Sequence, residues 1–375
     1  MSTRQLVNSL TVLRFSQTIS MQERYLEFLR YAIDNKKAVP ESVKDIDWHG
    51  LFEFSKKQAI IGVVFDAIQR LNIKWDGQDR ALMMKWFAAS ESIRLKNEKV
   101  NRQCLKLTER LLAEGFPCCI LKGQGNAMMY PNPMSRTSGD IDAWLYGTRE
   151  DIYNYVRRIV PKSFTQDKHI EFPVFKDTVV EIHYAPTSFS NLFYQKRLNK
   201  YIQSIKDRQF EHKIELTGNG TISIPTDDFN RIFQLCHIKS HFFVEGIGLR
   251  QLIDYYYLLK KSYGNEDEVY WLKHLGLYKF ATGVMWIEKH ILGLEDKYLL
   301  VQPDESIGKV IYEDVMIAGN FGHHDDRYKD KRSNLLMRGA IDSWRLLTMI
   351  KTFPGDVLWK LIQKVYNQRW KIFRK

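Results

Sequence analysis

The chain contains 375 residues, of which 44% are hydrophobic and 27% charged, a composition typical of a folded globular protein. This balance excludes a collagen-like chain, a low-complexity scaffold and a largely disordered protein. At roughly 150 residues per domain, the length predicts two domains, or one large domain with extensions. The best apolar run, over residues 59–68, is interrupted by Asp66 and is too short to cross a bilayer, which takes roughly 18 residues.

The net charge of the chain indicates its class of binding partner, and its cysteines indicate its cellular compartment. The formal net charge of +12 favours a polyanionic partner or a phosphate-bearing ligand. Over residues 345–375, eight basic residues accompany one acidic residue, which predicts a terminal helix docked by its apolar face, with a membrane-surface helix or an anionic-partner patch as alternatives. The N-terminus lacks a clean signal peptide, so a soluble protein is expected, and the cysteine usage favours the reducing cytoplasm. The cysteines show no spacing typical of disulfide frameworks: Cys104, Cys118, Cys119 and Cys236.

The first third of the chain has helical periodicity. Residues 22–114 predict several helices, the last of them long and amphipathic over residues 83–112. Gly115 fits a helix C-cap, and residues 116–121 predict a short buried strand. A glycine-containing turn at residues 122–125, a short helix over 126–130 and a second strand over 141–145 follow. The pattern therefore changes from all-helical to mixed near residue 114.

The centre of the chain predicts a small α/β unit. Thr148 fits the N-cap of a helix that ends near residue 160, and two strands over 169–175 and 178–184 form a hairpin. Beyond Pro225, Thr226 starts a helix, and two glycines separate it from another over residues 249–261. We expect an N-terminal helical region over residues 1–114, an α/β core over 115–225 and a C-terminal helical region with a basic tail over 226–375.

Residues 119–145 hold the densest set of chemically informative side chains. They read CILKGQGNAMMYPNPMSRTSGDIDAWL and place Lys122 and Gly123 directly after a strand. Asp140 and Asp142 share one face of the next strand, because alternate side chains of a strand point the same way. Two carboxylates held this close repel each other unless a divalent cation lies between them. The pattern therefore predicts a site for Mg²⁺ or Mn²⁺.

A third carboxylate belongs to the predicted hairpin. In the segment VVEIH, Glu181 and His183 share one strand face. If this strand lies beside the Asp140 strand, three carboxylates converge and can hold two metals for in-line displacement at phosphorus. Backbone N–H groups around Gly123, together with Lys122 and Arg136, can offset the charge of a bound phosphate.

The order of these motifs, LKG, then R-x-S-G-D-x-D, then E-x-H, resembles the nucleotidyltransferase superfamily typified by DNA polymerase beta. The similarity is greatest to a bacterial nucleotidyltransferase family with an LKG start and an SGDID core, and it extends to residues 248–254 and 319–322. The resemblance implies an α+β fold, with a polymerase beta-like α/β core, a small mixed sheet and helical regions on both sides. It also implies metal-dependent transfer of a nucleoside monophosphate from a nucleoside triphosphate, with release of pyrophosphate.

The resemblance assigns roles to individual residues. Asp140, Asp142 and Glu181 are expected to be the catalytic ligands of Mg²⁺ or Mn²⁺, and Glu181 is also a candidate base. The expected nucleotide contacts are Lys122, Gly123, Arg136, Ser138, Arg250 and Asp254. The superfamily usually has Gly-Ser or Gly-Gly after its first strand, where this chain has Lys122 and Gly123. This departure indicates either a contact to the triphosphate or a changed donor or reaction.

Structural alternatives exist for these residues. The aspartates can belong to a solvated turn, and Arg250 and Asp254 can form an ion pair at i, i+4 of one helix. His183 can orient Glu181, bind substrate or be structural.

Other histidines are less informative. His237 and His241, beside Cys236, invite a zinc interpretation, but without a HExxH glutamate they favour packing or substrate contact. The roles of His323 and His324 stay open.

Two functions from different classes fit these observations. The first is the transferase, acting on a hydroxyl or phosphate acceptor, with a protein hydroxyl or a small metabolite favoured over nucleic acid. The second is a catalytically silent nucleotide- or anion-binding module of the same fold. The acceptor, the preferred nucleotide and the oligomeric state are not determined by the sequence.

Overall fold

The computed structural model of the chain describes residues 21–71, 73–75, 77–218, 220–325 and 335–373. The N-terminal stretch that was weighed as a signal peptide lies outside these residues. Among the helices that are described, none combines the length and apolar character needed to span a membrane.

In the described part of the chain, four α-helices precede the sheet. They are α1 over residues 21–33, α2 (Trp48–Lys57), α3 (Ile61–Arg70) and α4 (Gln78–Ala113). The Asp47 side chain accepts a hydrogen bond from the Gly50 N–H and so caps α2. The predicted long helix is confirmed as α4, and the chain leaves it through Gly115, whose φ of 84° is one that favours glycine.

A four-stranded mixed sheet forms the centre of the molecule. Its strands are β1 (Cys118–Leu121), β2 (Ile141–Leu145), β3 (His169–Glu171) and β4 (Val180–His183), in the spatial order β1-β2-β4-β3. β2 pairs antiparallel with β1 and parallel with β4, and β3 pairs antiparallel with β4. The fold is therefore α+β with a small mixed sheet, as predicted.

Two helices connect the strands. The short α5 (Gly123–Ala127) follows β1 directly, earlier than the predicted helix at residues 126–130. After β2 comes α6 (Arg149–Ile159), and the Thr148 hydroxyl accepts from the Asp151 N–H, which confirms the predicted cap. The hairpin of β3 and β4 is also confirmed, although both strands are shorter than predicted.

The remainder of the described chain is mostly helical. A further helix and a two-stranded antiparallel sheet, both absent from the sequence prediction, come first: α7 (Leu192–Glu211), β5 (Lys213–Leu216) and β6 (Gly220–Ser223). The helices that follow are α8 (Asp227–Val244), α9 (Leu249–Lys261), α10 (Glu266–His274), α11 (Tyr278–Trp286), α12 (Glu305–Ala318), α13 (Leu335–Thr348) and α14 (Pro354–Phe373). The predicted starts of α8 and α9 are confirmed to within one residue.

Two apolar clusters form the core. One joins β1 and β2 to α4 and α6 through side chains such as Leu107, Ile120 and Ile152. The other joins the N-terminal helices to the C-terminal ones and includes Trp144 of the sheet. All four cysteine thiols are free and buried, as expected from their spacing.

One residue of the predicted basic tail is not part of a basic surface. Arg345 is buried, and its guanidinium donates to Asp314 and to the Phe242 carbonyl. The positive charge expected on the tail is therefore reduced by one, because this arginine is neutralised within the core.

Candidate functional site

The register of the sheet brings the three predicted carboxylates together. β2 and β4 run parallel, and Asp142 lies directly opposite Glu181. Asp140 comes two residues earlier and reaches the same side. One oxygen from each of the three lies within 4.8 Å of the others, and we call these residues the carboxylate cluster. The expectation that the two strands are neighbours is confirmed.

Asp142 is the buried centre of the cluster. Its Oδ2 lies 2.7 Å from Lys122 Nζ, and its Oδ1 lies 2.8 Å from His183 Nε2. Burial alone would raise the pKa of Asp142, but Lys122 and His183 together hold it well below its usual range. The carboxylate is therefore ionised at neutral pH.

The other two carboxylates differ in their environment. The charge of Asp142, followed by desolvation within the cavity, raises the pKa of Asp140, although this residue is exposed to solvent. Burial would also raise the pKa of Glu181, but a hydrogen bond from His183 contributes to lowering it. The repulsion between Asp140 and Asp142 is thus only partly relieved by the side chains present. Three closely spaced carboxylate oxygens fit a hard divalent cation such as Mg²⁺.

The backbone at Lys122 is in a conformation that favours glycine. Its φ is 54° and its ψ is −129°, and Gly123 follows with a φ of 40°. A residue with a Cβ is costly in such a conformation, by about 1–3 kcal/mol. The side chain of Lys122 nevertheless reaches the carboxylate cluster. A glycine would suit this backbone conformation better but would supply no positive charge to the cluster.

A cavity of about 330 Å³ opens in front of the cluster. The sheet forms one wall, and α8 and α9 form the opposite wall. Lys168, which the sequence analysis did not select, also lines it. Burial, followed by the like charge of Lys122, lowers the pKa of Lys168, and no hydrogen bond or ion pair joins its ammonium to another residue of the described chain. An anionic ligand in the cavity would meet this ammonium directly.

A second group of charges at the cavity is internally paired. Arg136 Nε and Nη2 each donate over 2.7 Å to the two carboxylate oxygens of Asp254, and the Tyr130 hydroxyl donates over 2.7 Å to Oδ1. We call these three residues the arginine cluster. Asp254 therefore pairs with Arg136 of the loop before β2 rather than with Arg250 on its own helix. Arg136 was expected at a phosphate, and its charge is already matched here.

The remaining predicted contacts are distributed differently. Arg250 lines the cavity, donates over 3.0 Å to the Thr137 carbonyl and lies over the ring of Phe321. Gly123 lines the cavity as well. Ser138 is buried and is not part of the cavity wall; its carbonyl accepts from Lys96.

The α8 wall contributes polar side chains that the sequence analysis did not assign. Gln234, His237 and His241 line the cavity, and their spacing of three and four residues places them on one helix face. This spacing was the feature of the sequence from which a shared helix face could have been predicted. The rings of His237 and His241 have centroids 4.3 Å apart. Burial lowers the pKa of His237 well below its usual range, so its ring is neutral.

The described part of the chain contains two groups of three potential metal-ligand residues. Within each group, the ligand atoms lie within 4.8 Å of one another. One is the carboxylate cluster. The other, which we call the histidine cluster, consists of His169, Glu181 and His183. Neither includes Cys236, whose thiol is buried with a pKa raised to about 12. Cys236 and its neighbouring histidines, for which the sequence already disfavoured a zinc site, therefore do not form a group of potential metal ligands among the described residues.

Comparison with known proteins identifies a family. A family model described as uncharacterised nucleotidyltransferase matches residues 44–293, well over half of the chain. A crystal structure of an antigenic nucleotidyltransferase-like protein from Paracoccidioides brasiliensis is similar with a TM-score of 0.34 and 11% identity, over 56% of this chain and 96% of that one. At that TM-score the likeness carries no further weight. None of the curated proteins compared matches the chain.

Proposed function

Because the chain belongs to the uncharacterised nucleotidyltransferase family, we propose that it transfers a nucleoside monophosphate from a nucleoside triphosphate to a hydroxyl or phosphate acceptor, with release of pyrophosphate. The observation that supports this most is the convergence of Asp140, Asp142 and Glu181 at a cavity that also contains two ammonium groups. Acidic ligands beside cationic side chains are the combination that phosphoryl chemistry needs.

The carboxylate cluster would hold Mg²⁺ or Mn²⁺. When bound, such ions supply Lewis-acid stabilisation of phosphate oxygens and lower the pKa of an attacking hydroxyl. Asp142 and Glu181 are held ionised by their neighbours, so both are ready as ligands at neutral pH. The Glu181 side chain is 21% exposed at the cavity, and we propose it as the group that accepts a proton from the acceptor.

Two lysines are placed to bind the triphosphate. Lys168 faces the cavity without a carboxylate partner among the described residues, and the Lys122 ammonium lies on Asp142. With Asp142 engaged as a metal ligand, the Lys122 ammonium would be available to contact a phosphate oxygen. Ammonium groups at this position would offset the charge that develops on the phosphoryl oxygens. We propose Gly123 and Arg250 as further contacts, and Arg136, Asp254 and Ser138 as supports of the cavity wall.

One observation favours the silent binding module as a second candidate. The Lys122 ammonium, 2.7 Å from Asp142 Oδ2, already supplies one positive charge where a metal would. A chain that binds nucleotide through its lysines alone would need no metal.

The acceptor of the transferase is proposed to be a protein hydroxyl or a small metabolite rather than nucleic acid, and the protein is proposed to act in the cytoplasm.

The test is calorimetric binding of non-hydrolysable α,β-methylene analogues of ATP, GTP, CTP and UTP, with and without Mg²⁺. We expect one analogue to bind only with Mg²⁺, and Asp140→Asn to weaken that binding at least about tenfold, because it removes a charged ligand. With the natural nucleotide and a competent acceptor, we expect this variant to slow pyrophosphate release by about 10²–10³-fold.

The matched control is Glu215→Gln, which makes the same change to an exposed carboxylate of β5 outside the cavity. This variant is expected to bind like the wild type. Nucleotide binding that does not depend on Mg²⁺ and is unchanged in Asp140→Asn would contradict the transferase and support the silent module. Circular dichroism of each variant checks that the fold is retained.

A further inference from the structure

The histidine cluster lies at the edge of the sheet, beside the carboxylate cluster. His169 of β3 is opposite His183 of β4 in the antiparallel register, and Glu181 shares the strand face of His183. Glu181 Oε2 lies 3.1 Å from His169 Nδ1 and 3.4 Å from His183 Nε2. Two imidazoles and one carboxylate therefore point at a common position.

These separations match those between the ligands of a single metal ion. Ligands at about 2.0–2.2 Å from a metal are separated by about 3.0 Å in an octahedral site and about 3.4 Å in a tetrahedral one. A hydrogen-bonded cluster would instead align a ring N–H with the carboxylate oxygen. The contact from His169 Nδ1 lacks that alignment.

His169 is a buried side chain with unmet polar groups. Only 4% of it is exposed, and neither ring nitrogen has a hydrogen-bond partner among the residues that the structure describes. An unsatisfied buried polar atom costs about 1–3 kcal/mol, so a ligand that satisfies it is expected. The nitrogen nearer the cluster is Nδ1, which lies 3.1 Å from Glu181 Oε2.

The second imidazole is already oriented as a ligand. His183 Nε2 faces the cluster and donates to Asp142 Oδ1. A cation bound at Nε2 would require the ring proton to be on Nδ1, which lies 3.3 Å from the Ala185 carbonyl that would accept its hydrogen bond. Fixing one ring nitrogen through a backbone carbonyl is the usual support of a metal-bound histidine. Asp142 Oδ1, 2.8 Å from the same Nε2, is available as a fourth ligand.

We propose that His169, His183 and Glu181 bind a divalent first-row transition-metal ion, such as Co²⁺ or Zn²⁺. Imidazole ligands favour these ions over Mg²⁺, which prefers oxygen donors. Glu181 belongs to both clusters, so the ion would sit next to the hard-cation site of the carboxylates. The site shares Glu181 with the proposed transfer centre, but its test does not depend on transfer, because metal binding is measured without nucleotide.

The test uses the full chain, freed of metal with a chelator and titrated with Co²⁺ in the absence of nucleotide. We expect Co²⁺ to bind at least about tenfold more tightly than Mg²⁺ and to produce a ligand-field absorption band. His169→Gln is expected to weaken Co²⁺ binding by about tenfold or more and to change that band, while leaving Mg²⁺ binding unchanged. The matched control is His241→Gln, which alters another histidine of the same cavity and is expected to leave the Co²⁺ affinity and spectrum unchanged.

If His169→Gln fails to fold, X-ray absorption spectroscopy of the Co²⁺-loaded wild type tests the proposal instead. The spectrum is expected to show two imidazole ligands on Co²⁺. A Co²⁺ shell without imidazole, or the same Co²⁺ affinity in His169→Gln and the wild type, overturns the proposal. These outcomes are separate from the test of transfer, in which Asp140→Asn is followed through nucleotide binding with Mg²⁺.

Discussion

The carboxylate cluster and the arginine cluster line one cavity, yet their charges are arranged in opposite ways. In the arginine cluster, both oxygens of Asp254 accept from Arg136, and both side chains are about 5% exposed or less. In the carboxylate cluster, three acids share Lys122, and the pKa of Asp140 is raised by its neighbour Asp142. A cluster whose charges are all matched supports the wall, whereas one with surplus negative charge is ready to bind a cation.

The largest expected effect is on the paired cluster. Asp254→Ala leaves the Arg136 guanidinium buried without a counter-charge and removes the acceptor of the Tyr130 hydroxyl. We expect the free energy of unfolding, measured by urea denaturation, to fall by about 3–5 kcal/mol. A loss below about 1 kcal/mol would contradict the view that this cluster is a closed support.

A double variant sharpens this prediction. Replacing both partners with apolar residues of similar size, Arg136→Met with Asp254→Leu, removes the unpaired charge along with the pair. We expect it to recover most of the stability that Asp254→Ala loses, because a buried ion pair and a well-packed apolar pair are of similar stability. A double variant as unstable as the single one would indicate that the pair itself, and not the orphaned charge, determines the effect.

A smaller effect is expected at Lys122, where the backbone and the side chain have conflicting preferences. Lys122→Ala and Lys122→Gly both remove the ammonium from Asp142 and differ only in the Cβ. Because φ is 54° here, we expect the glycine variant to be more stable by about 1–2 kcal/mol in the same urea experiment.

The control for Lys122 is a lysine in a regular helix. At Lys106, an exposed position of α4, the order should reverse, with Lys106→Ala about 1 kcal/mol more stable than Lys106→Gly. Equal stability of the two Lys122 variants would mean that the residue relaxes without cost. The expected result would mean that this position keeps a charged side chain at the expense of backbone stability.

The carboxylate cluster could be predicted from sequence because it depends on local strand geometry. Two aspartates at i, i+2 share a strand face, and the E-x-H motif indicated a second strand with the same property. The prediction required only that the two strands be neighbours, which the register of Asp142 with Glu181 confirms.

The arginine cluster could not be predicted in the same way, because Arg136 and Asp254 are separated by 118 residues. Their pairing depends on how α9 packs against the loop before β2, and local periodicity contains no information on that packing. The same limitation applies to Lys168 and to the pairing of His169 with His183. The positions of these residues depend on the length and register of a short hairpin. The His237 and His241 pair was visible, but nothing local indicated that its helix face lines the cavity.

The smallest expected effect separates two aspartates that differ by two positions. Asp140→Asn removes the repulsion with Asp142, so at pH 7 we expect a gain in stability below about 1 kcal/mol, since Asp140 is exposed and its charge is screened. The folded-state pKa of Asp140 is raised, so its ionisation disfavours the fold only above its ordinary value of 3.8, and the gain should vanish below that pH.

Asp142→Asn is the matched comparison and should have the opposite sign. The pKa of Asp142 is lowered in the fold, so its ionised form adds stability above its ordinary value of 3.8, and this contribution is lost as the pH falls. The variant is therefore expected to be less stable than the wild type at pH 7, with the difference shrinking toward pH 3. Thermal unfolding of both variants across this range tests the distinction. A loss of stability in Asp140→Asn at pH 7 would mean that the surplus charge is already balanced within the fold, and the case for a missing cation would fall with it.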